Sequence, residues 1–537
     1  MSHFWIRILI TGLTVGALLG GAGCAKSGDE QAADKGNVFH LANGTEPADL
    51  DPQTVTGRPE SNIIRTLIEG LVIPDAQTLE PRPGQAESWE ISTDGLVYTF
   101  KLRPEAKWSN GDQVTAQDFV GSWQRILTPS LASEYAYNLF MVEGAEAFNK
   151  GELTDFSQTG FKALDGRTIQ IRLRNPTSYL LSLMMHYSWH PVHLPTVDKF
   201  GGLTRKGTRW TRPENYVGNG PFVLTEWKPN QHILVTRSPT YWGEVKLDGV
   251  QFYPIENADA AERMFRTGQL DATNALPLGK VDTYRDGQSD VLRIDPYLAT
   301  AFFKVNVNRP QLQDPRVRRA IALSLDRVGL AKEVLRGVKT AHYNFSPVMP
   351  NFTPEPAFSD NAEEARRLLA EAGYPGGEGL PPIEILYPTS DSGRIVCEAL
   401  QAMIRSTLGI DVRLYNQEWK VYLNSTVNRN YDIAWSAWIG DYVDPMTFMD
   451  MMVTDGGNNR TGWSSPRYDE LIQLAQAEGD ATKRNAYFAE MEALLGVEVP
   501  VIPLYSYTNA YLLSPAVKGW SPTLLDIHPF QEVWLER

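Results

Sequence analysis

Residues 382–441 constrain this chain more than any other stretch. PIEILY (382–387) reads as a strand, and 393–408 as an amphipathic helix stopped by Gly409. IDVRLY (410–415) alternates as a second strand, 420–427 is helical, and YDIAWSAW (431–438) is a third strand. Strand–helix–strand–helix–strand at this spacing predicts parallel pairing through right-handed crossovers. Open sheets of that kind take ligands beyond the carboxyl ends of their strands. Asp441, in WIGDYVDP, falls just past the third strand, so position alone makes it a site candidate.

Its surroundings add chemistry. Trp435 and Trp438 precede it, and a carboxylate among aromatic rings loses hydration and needs a partner. A ligand ammonium would supply one, in a charge-assisted hydrogen bond contributing about 1.5–3 kcal/mol. The other reading is a turn aspartate ahead of Asp444-Pro445. The residues themselves leave the two open.

The rest of the chain alternates in the same way. LVYTFKL (96–102) and 168–174 read as strands. A helix over 115–127 carries Thr115 and Asp118 as a capping pair. Asp314-Pro315 starts a helix through Leu325, Asp326 caps another ending before Gly337, and 361–372 is a helix closed by Gly373. The chain has 537 residues. At about 150 residues per domain, three to four lobes are expected. Its net charge of −14 gives no general attraction to phosphate backbones, which argues against nucleic acid as a partner. The 14 Trp, 22 Tyr and 20 Phe suit contact surfaces for small organic ligands.

Residues 1–23 read as an export signal, with Arg7 ahead of the 12-residue apolar run ILITGLTVGALL. A bilayer span needs about 20 such residues. Small residues lead into Cys24, as at a bacterial lipoprotein cleavage site, although Gly21 stands where an aliphatic residue is usual. Cleavage of a plain signal peptide nearby is the alternative. Residues 24–36 then form a polar tether. With Cys24 lipidated, Cys397 is the sole thiol, and its helical company of Val396, Leu400 and Ile404 marks it as a small core residue.

Other constellations carry less. His186, His190 and His193 fall at i, i+4 and i+7, but Pro191 breaks the helix that would align them on a metal, so a structural role is expected. The sequence contains no GxSxG elbow, no phosphate-binding GxxxxGK[ST] loop and no GxGxxG. A secreted hydrolase remains the rival from another class, and turnover would reveal it.

The stretch AESWEISTDGLVYTFKLRPEAKWSNGDQVTAQDFVGSWQRIL (86–127) resembles the signature region of family 5 extracellular solute-binding proteins. So do LDPQTVTGRPESN (50–62), RSPTYWGEVKLDGV (237–250), DPRVRRAIALSLDR (314–327), LLAEAGYP (368–375), YNQEW (415–419) and AWIGDYVDPMTF (437–448). These runs are collinear and cover nearly all of the chain after residue 36. Within the family the likeness is greatest to the oligopeptide-binding branch that serves peptide ABC transporters.

The resemblance implies an α/β fold of the periplasmic-binding-protein type II, cluster C: a two-lobed clam with an additional inserted domain. Lobe I would comprise 37–68, 192–298 and 509–537, the inserted lobe II 69–191, and lobe III 299–508. It implies an extracytoplasmic lipoprotein receptor, monomeric and without cofactor or metal. Such a receptor would sit in the periplasm or on the outer face of the cytoplasmic membrane and hand oligopeptides to ABC permease subunits. A receptor for murein or other modified peptides on the same fold is the alternative.

Carried over by motif, Asp441 pairs with the peptide α-ammonium. Ala437 pairs with peptide backbone, Trp438 lines a pocket, and Thr56, Gly57 and Arg58 run beside the peptide. Tyr135, Trp419 and Tyr507 match aromatic pocket positions. Two departures stand out. Ala299 and Ile439 replace a disulfide pair of well-known members. Gly393, Thr426 and Trp435 replace basic groups that hold the peptide carboxylate, with Arg394 or Arg429 as candidate substitutes.

Overall fold

A computed structural model describes residues 36–287 and 290–537. The signal-like segment, Cys24 and the tether up to residue 35 lie outside the described residues.

Three sheets carry the architecture. The first has the order Val38–Ala42, Gly249–Tyr253, His232–Arg237, Phe222–Lys228. Its edge strand Val38–Ala42 pairs in parallel with Gly249–Tyr253, and the rest is antiparallel. One core beneath it joins Phe39, Ile63 and Leu67 to Phe222 and Phe252, and is completed by Tyr511, Phe530 and Val533. Both ends of the described chain therefore fill the same interior.

The second sheet is antiparallel throughout, in the order Ala86–Ile91, Val97–Leu102, Thr168–Arg172, Phe161–Ala163. The helix Ala116–Leu127 covers it. Its start is fixed by reciprocal bonds: the Asp118 N–H donates to Thr115 Oγ1 and the Thr115 N–H donates to Asp118 Oδ2, 2.8 Å away. Such a cap contributes about 1 kcal/mol. Phe119, Trp123, Ile126 and Leu127 are fully buried on its inner face. Arg125 leaves the same helix to meet Asp51 through two bonds of 3.0 and 2.6 Å, with a further bond to Gln53 Oε1. The Asp51 and Arg125 side chains are each only 1% exposed.

The third sheet has six strands, in the order Thr340–Ala341, Val501–Leu512, Leu292–Val305, Ile433–Ile439, Ile383–Pro388, Val412–Gln417. Ile383–Pro388 is parallel to both of its neighbours, as the alternating pattern of 382–441 predicts. The sheet as a whole is mixed, because Leu292–Val305 pairs antiparallel with Ile433–Ile439 and with Val501–Leu512. Neither long strand is apparent in the sequence. Residues 298–305 are buried on both faces, so they show no alternation. Pro296 also interrupts the pattern, and the ladder is irregular between Pro296 and Thr300.

Element ends shift by small amounts. The helix expected over 393–408 runs Asp391–Leu408, capped by Ser390, whose hydroxyl accepts from the Gly393 N–H. Gly409 ends it in the left-handed region at φ 72°. The strand expected from residue 410 begins at Val412, because Ile410 is spent on the core beneath that helix. Ala299 and Ile439 face each other directly across the ladder. Cys397 is fully buried in the same core, and burial pushes its thiol up to about 12.

Candidate functional site

The third of the parallel strands, Ile433–Ile439, builds the site. On one side it pairs with Leu292–Val305 over its whole length. On the other, Ile383–Pro388 reaches it only at Ile433 and Ala434. The Tyr422 hydroxyl then donates to the Trp435 carbonyl at 2.8 Å. Beyond that point, residues 436–439 present a strand edge that no described strand occupies. Ala437 and Ile439 are exposed there, and Trp438 is half-buried.

The edge leads into Asp441. Gly440 makes the close approach possible: its N–H donates to the Leu298 carbonyl at 2.7 Å, and a Cβ at this position would lie 2.6 Å from the Leu298 side chain. Thr447 then fixes the corner. Its hydroxyl accepts from the Asp441 N–H at 3.1 Å, and its carbonyl accepts from Trp438 Nε1 at 2.7 Å. The Asp441 carboxylate receives one long bond, 3.4 Å, from the Tyr137 hydroxyl. Burial pushes its carboxyl up to about 6, against the opposing effect of that bond. It has no cationic partner among the described residues.

Asp441 opens onto a cavity of about 570 Å³ lined also by Tyr137, Asn138, Tyr179, Trp438 and Asp450. Tyr179 and Tyr442 stack at 5.1 Å on its wall. Asp444 plays a different part. It holds Arg484 through bonds of 2.6 and 2.8 Å and accepts from the Met446 N–H. The turn role open to Asp441 in the sequence is thus filled by its neighbour.

The other candidates distribute unevenly. Tyr135 stands near Asp441: its ring lies 6.2 Å from Tyr137, and burial followed by the Asp441 charge pushes its hydroxyl up. Thr56, Gly57 and Arg58 lead into the helix Arg58–Leu67, with Gly57 as its cap residue. Arg58 forms an ion pair with Asp526 and lies 5.5 Å from the Tyr297 ring. It borders a separate, smaller cavity with Asn62, Tyr511 and His528. Tyr507 packs on Tyr505 at 5.4 Å and under Lys339 at 4.6 Å. Neither Arg58 nor Tyr507 lines the Asp441 cavity. Trp419 begins the helix Trp419–Val427, and its side chain lies outside the described residues.

Arg394 is committed to Glu398 at 3.1 Å on an exposed helix face. The basic group placed against Thr426 is instead Arg460, which donates to its hydroxyl at 3.1 Å. Burial, then the Arg460 charge, pushes the nearby Lys304 ammonium down to about 7. The three histidines are buried individually. His186 bonds Ser188 and His193 bonds Thr196, and both are side-chain contacts within one turn.

Sequence reasoning missed Tyr137, Tyr179 and Asp450. The two tyrosines gave no signal, since their segments lack a repeating pattern. Asp450 gave one, as the lone charge in MTFMDMM.

The comparisons place the chain among known proteins. The bacterial extracellular solute-binding proteins, family 5, match residues 80–460. The periplasmic oligopeptide-binding protein OppA of Escherichia coli K12 is 35% identical, over 89% of this chain and 89% of its own. The murein tripeptide-binding protein MppA, solved in an unliganded open form, superposes with a TM-score of 0.76 at 32% identity, covering 93% of this chain and 98% of its own. Haemophilus influenzae OppA in complex with RPPGFSPFR superposes with a TM-score of 0.79 at 33% identity, over 94% and 99%. The fold is the two-lobed type II binding-protein fold, and the chain belongs to the bacterial extracellular solute-binding proteins, family 5.

Proposed function

We propose that this chain is an extracytoplasmic receptor that captures oligopeptides and delivers them to an ABC transporter permease. One observation carries the reading: a strand edge at 436–439 that no described strand occupies runs directly into a half-buried carboxylate with no cation among the described residues. An extended peptide added to that edge satisfies its backbone groups and brings its α-ammonium to Asp441. Recognition through backbone and amine leaves side chains free to differ, which suits a receptor of broad sequence range. Family membership and the peptide-bound relative support the same reading.

The receptor works by binding and release. In this reading lobe I is 37–68, 192–298 and 509–537, lobe II is 69–191 and lobe III is 299–508, and lobes I and III close over the ligand. Thr56, Gly57 and Arg58 approach the peptide from the lobe opposite Ala437 and Trp438, with Tyr135 beside its amine and Tyr507 and Trp419 along its length. The open form of MppA supports such a motion. Small-angle scattering is expected to give a smaller radius of gyration with saturating peptide. An unchanged radius, with binding confirmed by calorimetry, would refute closure.

Cys24 carries the lipid that holds the receptor at the membrane, on the strength of the signal-like 1–23. No helix among the described residues is long and apolar enough to cross a bilayer. Cys24→Ser is expected to release soluble protein into the extracytoplasmic fraction. Retention of the Ser variant on membranes after a high-salt wash would rule out the anchor.

A further inference from the structure

The cavity beside Asp441 holds a second carboxylate that peptide capture, as described so far, leaves unused. Asp450 opens the turn Asp450–Met452 and lines the same cavity. Its neighbours Met449, Met451 and Met452 are buried, while its own side chain is exposed. Burial within the surrounding protein, then the charges of Asp441 and Asp444, pushes its carboxyl up to about 7. It has no hydrogen bond or ion pair through its carboxylate among the described residues.

The nearby charges are otherwise committed. Asp444 is neutralised by Arg484. Arg174, also on the cavity wall, is held by Glu146 at 2.9 Å. That leaves two carboxylates, Asp441 and Asp450, lining one cavity with no cation paired to either among the described residues. Two like charges on one cavity wall raise each other's energy, and a single α-ammonium neutralises only one of them. A ligand with a second cation close to its amine relieves both. The cavity, at about 570 Å³, has room for a long basic side chain as well as the amine.

We infer that Asp450 is a specificity residue that favours peptides whose first residue has a cationic side chain, with the α-ammonium on Asp441 and the side-chain cation on Asp450. This rests on the peptide-receptor reading above and deepens it.

The test uses tripeptides that differ only in the first residue: lysine, norleucine or alanine. Norleucine keeps most of the lysine chain and lacks its ammonium. Calorimetry on the parent protein is expected to show the lysine peptide binding at least about tenfold more tightly than the norleucine peptide, the scale of one charge-assisted contact. Asp450→Asn should abolish that gap while the alanine peptide still binds. Equal affinities for the lysine and norleucine peptides in the parent would overturn the inference without any variant. So would a gap that survives in Asp450→Asn. If the alanine peptide binds and no gap is seen, the receptor reading stands and this inference falls; if none of the three binds, both fall.

Discussion

Asp441→Asn should weaken peptide binding by about 2–5 kcal/mol, or roughly 30- to 5,000-fold, as expected when one partner of a buried charge pair is removed. The substitution keeps the shape of the corner held by Thr447 and takes away only the charge. N-acetylated peptides should bind the parent poorly, and the variant should discriminate against them much less. Calorimetry on the four protein–peptide combinations gives the coupling energy directly. A coupling near zero would remove amine capture from the mechanism.

The same carboxylate predicts two pH effects of defined sign. Its folded pKa of about 6 lies above the ordinary 3.8, so the folded protein holds the proton more tightly than the unfolded chain does. The associated stability is fully present below the unfolded value and is lost as pH rises through 6. The empty Asn variant should therefore be at least as stable as the parent at pH 7. Binding runs the other way. An ammonium requires the carboxylate form, so affinity should fall below pH 6 by at most about tenfold per unit. Asp441→Asn should flatten that limb.

Arg125→Met should destabilise the protein by about 3–5 kcal/mol, because it leaves Asp51 buried without its counter-charge. The effect lies in stability and not in peptide recognition, since neither residue lines the Asp441 cavity. The double substitution Asp51→Leu with Arg125→Met should recover much of the loss, as apolar replacements of buried ion pairs often do. Urea unfolding followed by tryptophan fluorescence at pH 7 measures both. A single-variant loss below about 1 kcal/mol, the range of exposed pairs, would mean that water reaches Asp51.

What could be read from the sequence divides along physical lines. The parallel unit of residues 382–441 was legible because short strand-like runs alternate there with helical ones. The cap at Thr115 and the stop at Gly409 were legible because their chemistry is local. Asp441 was legible by position, one residue past Gly440 at a strand end. Leu292–Val305 and Val501–Leu512 were not legible, since burial on both faces erases alternation. Tyr137 was missed because its bond to Asp441 joins residues 304 positions apart. Arg58 shows the limit of motif matching. The motif puts it beside the peptide, and only the fold shows that its guanidinium also meets Asp526, 468 positions away in sequence.

The interior shared by the two ends of the chain has a consequence for the order of folding. Phe39 packs 6.1 Å from Phe530, and Arg537 donates to the Val38 carbonyl at 3.1 Å. The edge strand Val38–Ala42 thus completes its packing only once residues 511–533 are present. Contacts so distant in sequence return nothing until the loop between them has closed. A nascent chain cannot finish this region early. Its core stays open on that side until residues 511–533 have been made.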